Sequence, residues 1–178
     1  RIEVKYVDLG SVFLKPNSEH DLLLKERDEI IVFDLEKNRS NRLSRILNDL
    51  IIQSTSEKPP MKFSISGHVR YEGNFPLEYG ARLLDVLRVV GGIQVGTDRK
   101  YALISRKLYP WGQLEMFSVQ LEKALAEPDS EWNTYIHPED RIFIFNDDMK
   151  REFLIKEDIN RLIKQTHYGD MAPVISVQ

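Results

Sequence analysis

The residue types able to make and break bonds are few in this chain, and they are dispersed. His20, His68, His137 and His167 form no His-x-x-x-His or His-Glu pair on one helical face, so their spacing offers no metal site. The absence of Cys removes thiol nucleophiles, Cys-ligated zinc and disulfides together. No Gly-x-Ser-x-Gly elbow, Ser-x-x-Lys pair or Gly-x-x-x-x-Gly-Lys loop occurs. Gly91-Gly92-Ile93-Gln94-Val95-Gly96 is rich in glycine but follows a helical pattern, the wrong end of a helix for a dipole-held anion. The expectation is a protein that is not an enzyme, with no catalytic residue, no metal and no cofactor.

What remains is chemistry of recognition. Arg106 ends a strand pattern, where it can meet an anionic sugar or pair with a neighbouring carboxylate. Tyr109 and Trp111 lie in a turn, Trp132 and Tyr135 in a loop. All four can stack on sugar rings or cover the edge of a small domain. Arg106, Tyr109 and Trp111 are the ligand-binding candidates. Asp28 and Asp140 each precede an apolar strand, where a carboxylate accepts backbone N–H bonds. Gly67, Gly73, Gly91 and Gly92 serve a bulge, a turn and a helix cap, or bring backbone close to a ligand. With Pro138 they form the structural set.

Composition sets the frame for these residues. At 178 residues, 42% hydrophobic and 30% charged, the chain is long enough for one domain or two small ones with a real core. Lys and Arg number 25 against 28 Asp and Glu, without the basic excess that binding a phosphate backbone requires, so nucleic acid is not an expected partner. Apolar runs such as Ile30-Ile31-Val32-Phe33 fall far short of the ~20 residues that cross a bilayer. The chain begins at Arg1 with no signal pattern behind it, and reads as a fragment of something longer.

Self-comparison is the most informative operation on this sequence. An offset of 112 aligns residues 2–53 with 114–165 without a gap, with 14 identities in 52 positions, where average usage gives about three. They include Val7/Val119, Leu9/Leu121, Pro16/Pro128, Asp28/Asp140, Ile30/Ile142 and Phe33/Phe145. Ile175-Ser176-Val177 falls in turn on Phe63-Ser64-Ile65. The chain thus holds about 1.6 copies of a repeat.

The elements of one copy follow from periodicity. Residues 61–71 alternate Met61, Phe63, Ile65, Val69 and Tyr71 with polar residues, a half-buried strand, and Gly73-Asn74 supplies a turn into Phe75-Pro76-Leu77. Leu83, Leu84, Leu87 and Val90 keep helical spacing until Gly91-Gly92 stops the helix. Strands at 101–106 and 114–119, a helical turn at 121–126 and a strand at 142–145 complete the unit. Its expected core includes Phe63, Ile65, Val69, Leu84, Leu87, Ile104, Val119, Ile142 and Ile144. Ser40–Gln53 is an amphipathic helix through Leu43, Ile46, Leu47, Leu50 and Ile51, with a copy at 155–165. The order of elements predicts an α+β, β-grasp-like fold.

The run SISGHVRYEGNFPLEYGARLLDVLRVVGGIQVGTDRKYALISRK, followed by HPEDRIFIF, resembles the soluble-ligand-binding β-grasp (SLBB) domain of bacterial polysaccharide export proteins, in particular the outer-membrane capsule exporters. Ile65-Ser66-Gly67-His68-Val69, Gly91-Gly92, Arg106 and Pro138-Glu139-Asp140 fill the places of that family's pattern. Glu72-Gly73-Asn74 stands where Pro-Gly is usual, and Val90 where Ala is usual. The resemblance implies a tandem array: residues 1–35 as the closing half of a preceding SLBB repeat, 36–58 as a linking helix, 59–147 as a complete domain, and 148–178 as a second linking helix and the first strand of a next repeat.

By the same resemblance, the expected function is a non-enzymatic periplasmic module of a capsule or exopolysaccharide export machine, attached to or part of an outer-membrane protein. The expected partners are further copies of itself, other export components and the polysaccharide. The alternative is a module that binds a soluble carbohydrate or cofactor, with a pocket near the Trp111 turn and the Gly91-Gly92 loop. If residues 171–178 open a further copy, they should add to a sheet, with the 1–35 segment of a neighbouring molecule as the expected partner.

Overall fold

A computed structural model describes residues 1–18, 21–33, 40–108, 113–148, 156, 160, 163, 164 and 175–177. The elements are α1 (Leu9–Leu14), α2 (Ser40–Ile52), β1 (Lys62–Gly67), β2 (Gly73–Pro76), α3 (Leu83–Val89), β3 (Thr97–Leu108), β4 (Gln113–Val119), α4 (Leu121–Ala126), β5 (Arg141–Asn146) and β6 (Ile175–Val177). Most of the expected helix copy at 155–165, and residues 171–174, lie outside the described residues.

The strands form one mixed sheet in the order β2-β1-β5-β3-β4-β6. β1 and β5 are parallel neighbours, Ile65 opposite Ile142 and Gly67 opposite Ile144, while β1 with β2, β5 with β3 and β3 with β4 run antiparallel. The fold is α+β, and the arrangement of β1 to β5 with α3 is β-grasp-like. Alternation in β1 puts Phe63 and Ile65 inside and Lys62 and Ser64 on the opposite face. All nine expected core residues are buried, in one cluster with Phe75, Leu77, Leu83, Val86 and Leu121.

Helix α3 is short and relies on its ends. The Arg82 N–H donates to the Asp85 carboxylate at 2.9 Å, and the Leu83 and Leu84 N–H groups donate to Thr134 O at 2.9 Å and to the buried Asn133 Oδ1 at 3.0 Å. At the other end Gly92 N donates to Leu87 O at 2.8 Å and Gly91 N to Arg88 O at 3.0 Å, with Gly91 at φ +84°. These are the paired bonds of a Schellman stop, so the helix ends where the sequence placed its end.

The first hairpin departs from expectation. Gly73-Asn74 is the start of β2, paired with Ile65 and Ser64, and the reversal spans the residues before it. Gly67 is the cause: at φ +91° it ends β1, and its N–H is held by the Glu72 carboxylate at 2.6 Å. That contact turns the chain before the Gly-Asn pair can.

The offset of 112 reappears as geometry. Helix α1 stands one offset of 112 before α4. Ser18 N to Lys15 O (3.3 Å) matches Ser130 N to Glu127 O (3.0 Å), and Asp21 N to Ser18 O (3.0 Å) matches Asn133 N to Ser130 O (3.3 Å). The Asp28 carboxylate accepts from Lys25 N at 2.8 Å, as Asp140 does from His137 N at 2.8 Å, and Arg27 and Glu139 share a left-handed φ of +73° and +65°. Strands β4 and β5 have no strand counterpart one offset earlier. No strand is formed among the described residues of 1–33, because a β-strand is stable only beside neighbours that take up its hydrogen bonds.

Residues 1–7 instead lie against the end of α2 and the end of β2. Tyr6 donates its hydroxyl to Pro76 O at 2.7 Å and its N–H to the Glu78 carboxylate at 2.7 Å, while Ile2 and Gln53 exchange two hydrogen bonds of 2.8 and 3.0 Å. Burial pushes the Tyr6 phenol well above its ordinary pKa. β6 adds in parallel to the edge of β4, Ser176 opposite Phe117, so 175–177 joins a sheet of its own molecule and not a neighbour's 1–35 segment.

Candidate functional site

Arg106 and Asp140 form the strongest polar constellation among the described residues. Strand β3 carries Arg106 and the turn into β5 carries Asp140, which is fully buried. Arg106 Nε donates to Asp140 Oδ1 at 2.9 Å and Nη2 to Oδ2 at 2.7 Å. Nη2 also reaches Tyr135 O at 3.0 Å, and the guanidinium lies over the Phe117 ring at 5.0 Å. The carboxylate additionally accepts from His137 N, so Pro138-Glu139-Asp140 is a tight turn closed on itself and locked to β3. Of the two roles open to Arg106, the geometry realises the pair with a carboxylate. Asp28 has the same turn contact but is exposed.

The other candidates are apart from this pair. Tyr109 and Trp111 lie outside the described residues. Trp132 packs on the core with the Lys123 ammonium 3.9 Å from its ring centre, and Tyr135 is stacked by the Arg82 guanidinium at 4.7 Å. Gly91-Gly92 packs against residues 70 and 71, beyond the far end of β1. His68 is occupied by Thr97 Oγ1 at 2.9 Å, and no group of three possible metal ligands occurs among the described residues.

The surroundings of His137 shift its titration. Partial burial, with the nearby Arg106 charge, holds its pKa below the ordinary 6.5, against smaller opposing effects of Asp140 and Glu115. The folded state therefore favours neutral imidazole. Its contribution to stability is complete above about pH 6.5 and is lost as pH falls below that value. An NMR titration should give His137 a midpoint below 6.5; a midpoint at or above 6.5 would contradict this environment.

A site that periodicity did not disclose lies on the outer face of the sheet. The register places Asn74, Ser64, Arg141 and Ser105 in one row across β2, β1, β5 and β3. Around them is a groove of about 410 Å³ bordered by Lys62, Lys107, Leu114 and Glu139. Three cations face one carboxylate there, and Ser105 Oγ is buried without a hydrogen-bond partner. An unsatisfied buried hydroxyl costs about 1–3 kcal/mol, which a ligand oxygen would recover. Gly91-Gly92 are not among the residues that line the groove, and Trp111, the other landmark of the expected pocket, lies outside the described residues. The groove's only signal in the sequence is the polar half of the β1 alternation.

Comparison of the chain with protein-family models and with curated proteins finds no match. No described helix is long and apolar enough to cross a membrane.

Proposed function

We propose that this chain is a non-enzymatic SLBB-type β-grasp module of a capsule or exopolysaccharide export machine, working in the periplasm as part of, or attached to, an outer-membrane protein. Its action is mechanical: units stack, copies of the protein and other export components assemble on them, and polysaccharide passes the assembly. The observation that carries the reading is where the motif residues go. Gly67, Gly91-Gly92, Arg106 and Pro138-Glu139-Asp140 are all consumed in holding one frame together. Such a set supports a repeated building block better than a reaction centre. Deleting residues 59–147 from the full-length protein in its own host should abolish surface polysaccharide while polymer accumulates inside the cell. Unchanged surface polysaccharide would overturn the proposal.

The outer-face groove favours a second reading, a module that binds an acidic saccharide. Lys62, Lys107 and Arg141 would face its carboxylates and Ser105 its hydroxyls. Titration with an oligouronate should then show saturable binding that Arg141→Glu weakens at least tenfold. Ser105→Ala should weaken binding without loss of stability, because it deletes an unpaired hydroxyl. Equal binding by wild type and both variants would discard this reading.

A further inference from the structure

We infer that the bare face of residues 1–33 docks the opening half of another β-grasp-like unit: a hairpin, a helix and a strand of the character of residues 61–108. The inference rests on the repeat geometry and stands apart from what the assembled protein transports. In the complete unit, Val119, Leu121, Ile136, Ile142 and Ile144 are 0–4% exposed, whereas their counterparts one offset earlier, Val7, Leu9, Leu24, Ile30 and Val32, are 41–60% exposed. The residues alternating with them behave in the opposite way. Tyr6, Ile31 and Phe33 pack on the buried cluster of the complete unit. The segment has therefore laid its outer side on the neighbouring unit and left its inner side open. An apolar surface of this pattern, continuous with established packing, is an interface in want of a cover.

The complete unit shows what the cover is. There β3 lies between β4 and β5, antiparallel to both, with Ala102 opposite Val119 and Ile144 and Ile104 opposite Phe117 and Ile142. By the same offset the incoming strand enters between residues 2–7 and 30–33, setting small and branched apolar residues against Val7, Ile30 and Val32. Its helix takes the place α3 holds in the complete unit. The charge pattern agrees. Asp140 is buried under Arg106, while Asp28, with the same turn contact, is exposed. The incoming strand brings a cation at the position of Arg106.

The test is a fusion that places a second copy of residues 59–112 directly before Arg1, which keeps the register because residue 113 and Arg1 are one offset apart. Backbone amides 3–7 and 30–33 should slow in hydrogen exchange by about 100-fold or more relative to the unfused chain, approaching amides 115–119 and 142–145 of the same molecule. Asp28→Ala should reverse most of that gain in the fusion and change little in the unfused chain. Unchanged exchange at 3–7 and 30–33, with 115–119 and 142–145 still protected, would overturn the inference. So would a gain indifferent to Asp28→Ala. Protection of 30–33 that rises with concentration in the unfused chain would assign the face to a second copy and overturn it equally.

Discussion

Replacing Asp140 by Ala is expected to lower the unfolding free energy by about 3–5 kcal/mol, because it strands the Arg106 guanidinium in a largely closed site without its counter-charge. The Arg106 side chain is 13% exposed and Asp140 is not exposed at all, so water offers the remaining charge little relief. The loss also opens the turn, since the same carboxylate holds His137 N at 2.8 Å. Arg106→Ala should cost a similar amount. Removing both charges with apolar replacements, Arg106→Met with Asp140→Leu, should cost less than either single truncation, because no buried charge is left over. Denaturant midpoints of the three variants decide the matter. A single-variant loss under 1 kcal/mol would mean that the pair is not sealed from solvent.

The second large effect is expected at Gly67. A Cβ there would stand 2.0 Å from Ile144 O, and the backbone holds φ +91°. Neither problem has a local remedy, because Ile144 O also accepts from His68 N at 2.7 Å at the end of the β1–β5 ladder. Gly67→Ala should therefore cost about 3–5 kcal/mol, combining backbone strain, a lost hydrogen bond and displacement of β1 from β5. Gly92 is the control. It has a similar φ of +89°, yet nothing lies within 4 Å of an added Cβ, so Gly92→Ala should cost only the backbone strain of about 1–2 kcal/mol. Equal losses at the two positions would show that the approach to Ile144 is not the cause.

The sequence discloses some of this fold and hides the rest for physical reasons. Helices α3 and α4 and strand β5 are legible because their apolar period and stop signals are local, and Gly91-Gly92 terminates α3 where it must. The first hairpin is hard to place from sequence because Gly73-Asn74 carries a strong local turn signal, whereas the bond from Gly67 N to Glu72 is written in no periodicity. Arg106 and Asp140 each stand out in the sequence, but 34 positions separate them, and only the β3–β5 register joins them. The outer-face row of Asn74, Ser64, Arg141 and Ser105 needs three strand registers at once. Residues 30–33 have a strand's composition without a strand's neighbours, and composition alone forms no ladder.

The parallel pairing of β1 with β5 bears on how the unit responds to force. The chain enters at Lys62 and leaves at Asn146, and the strands at these two ends are adjacent and point the same way. Tension applied along the polypeptide therefore pulls β1 and β5 past each other lengthwise. The bonds from Ser64 N to Asp140 O at 2.9 Å and from His68 N to Ile144 O at 2.7 Å are then loaded together and not one after another. A hairpin pulled from its open end peels bond by bond. This unit clamps, and a string of such units would yield in discrete steps, each releasing the length of one whole module.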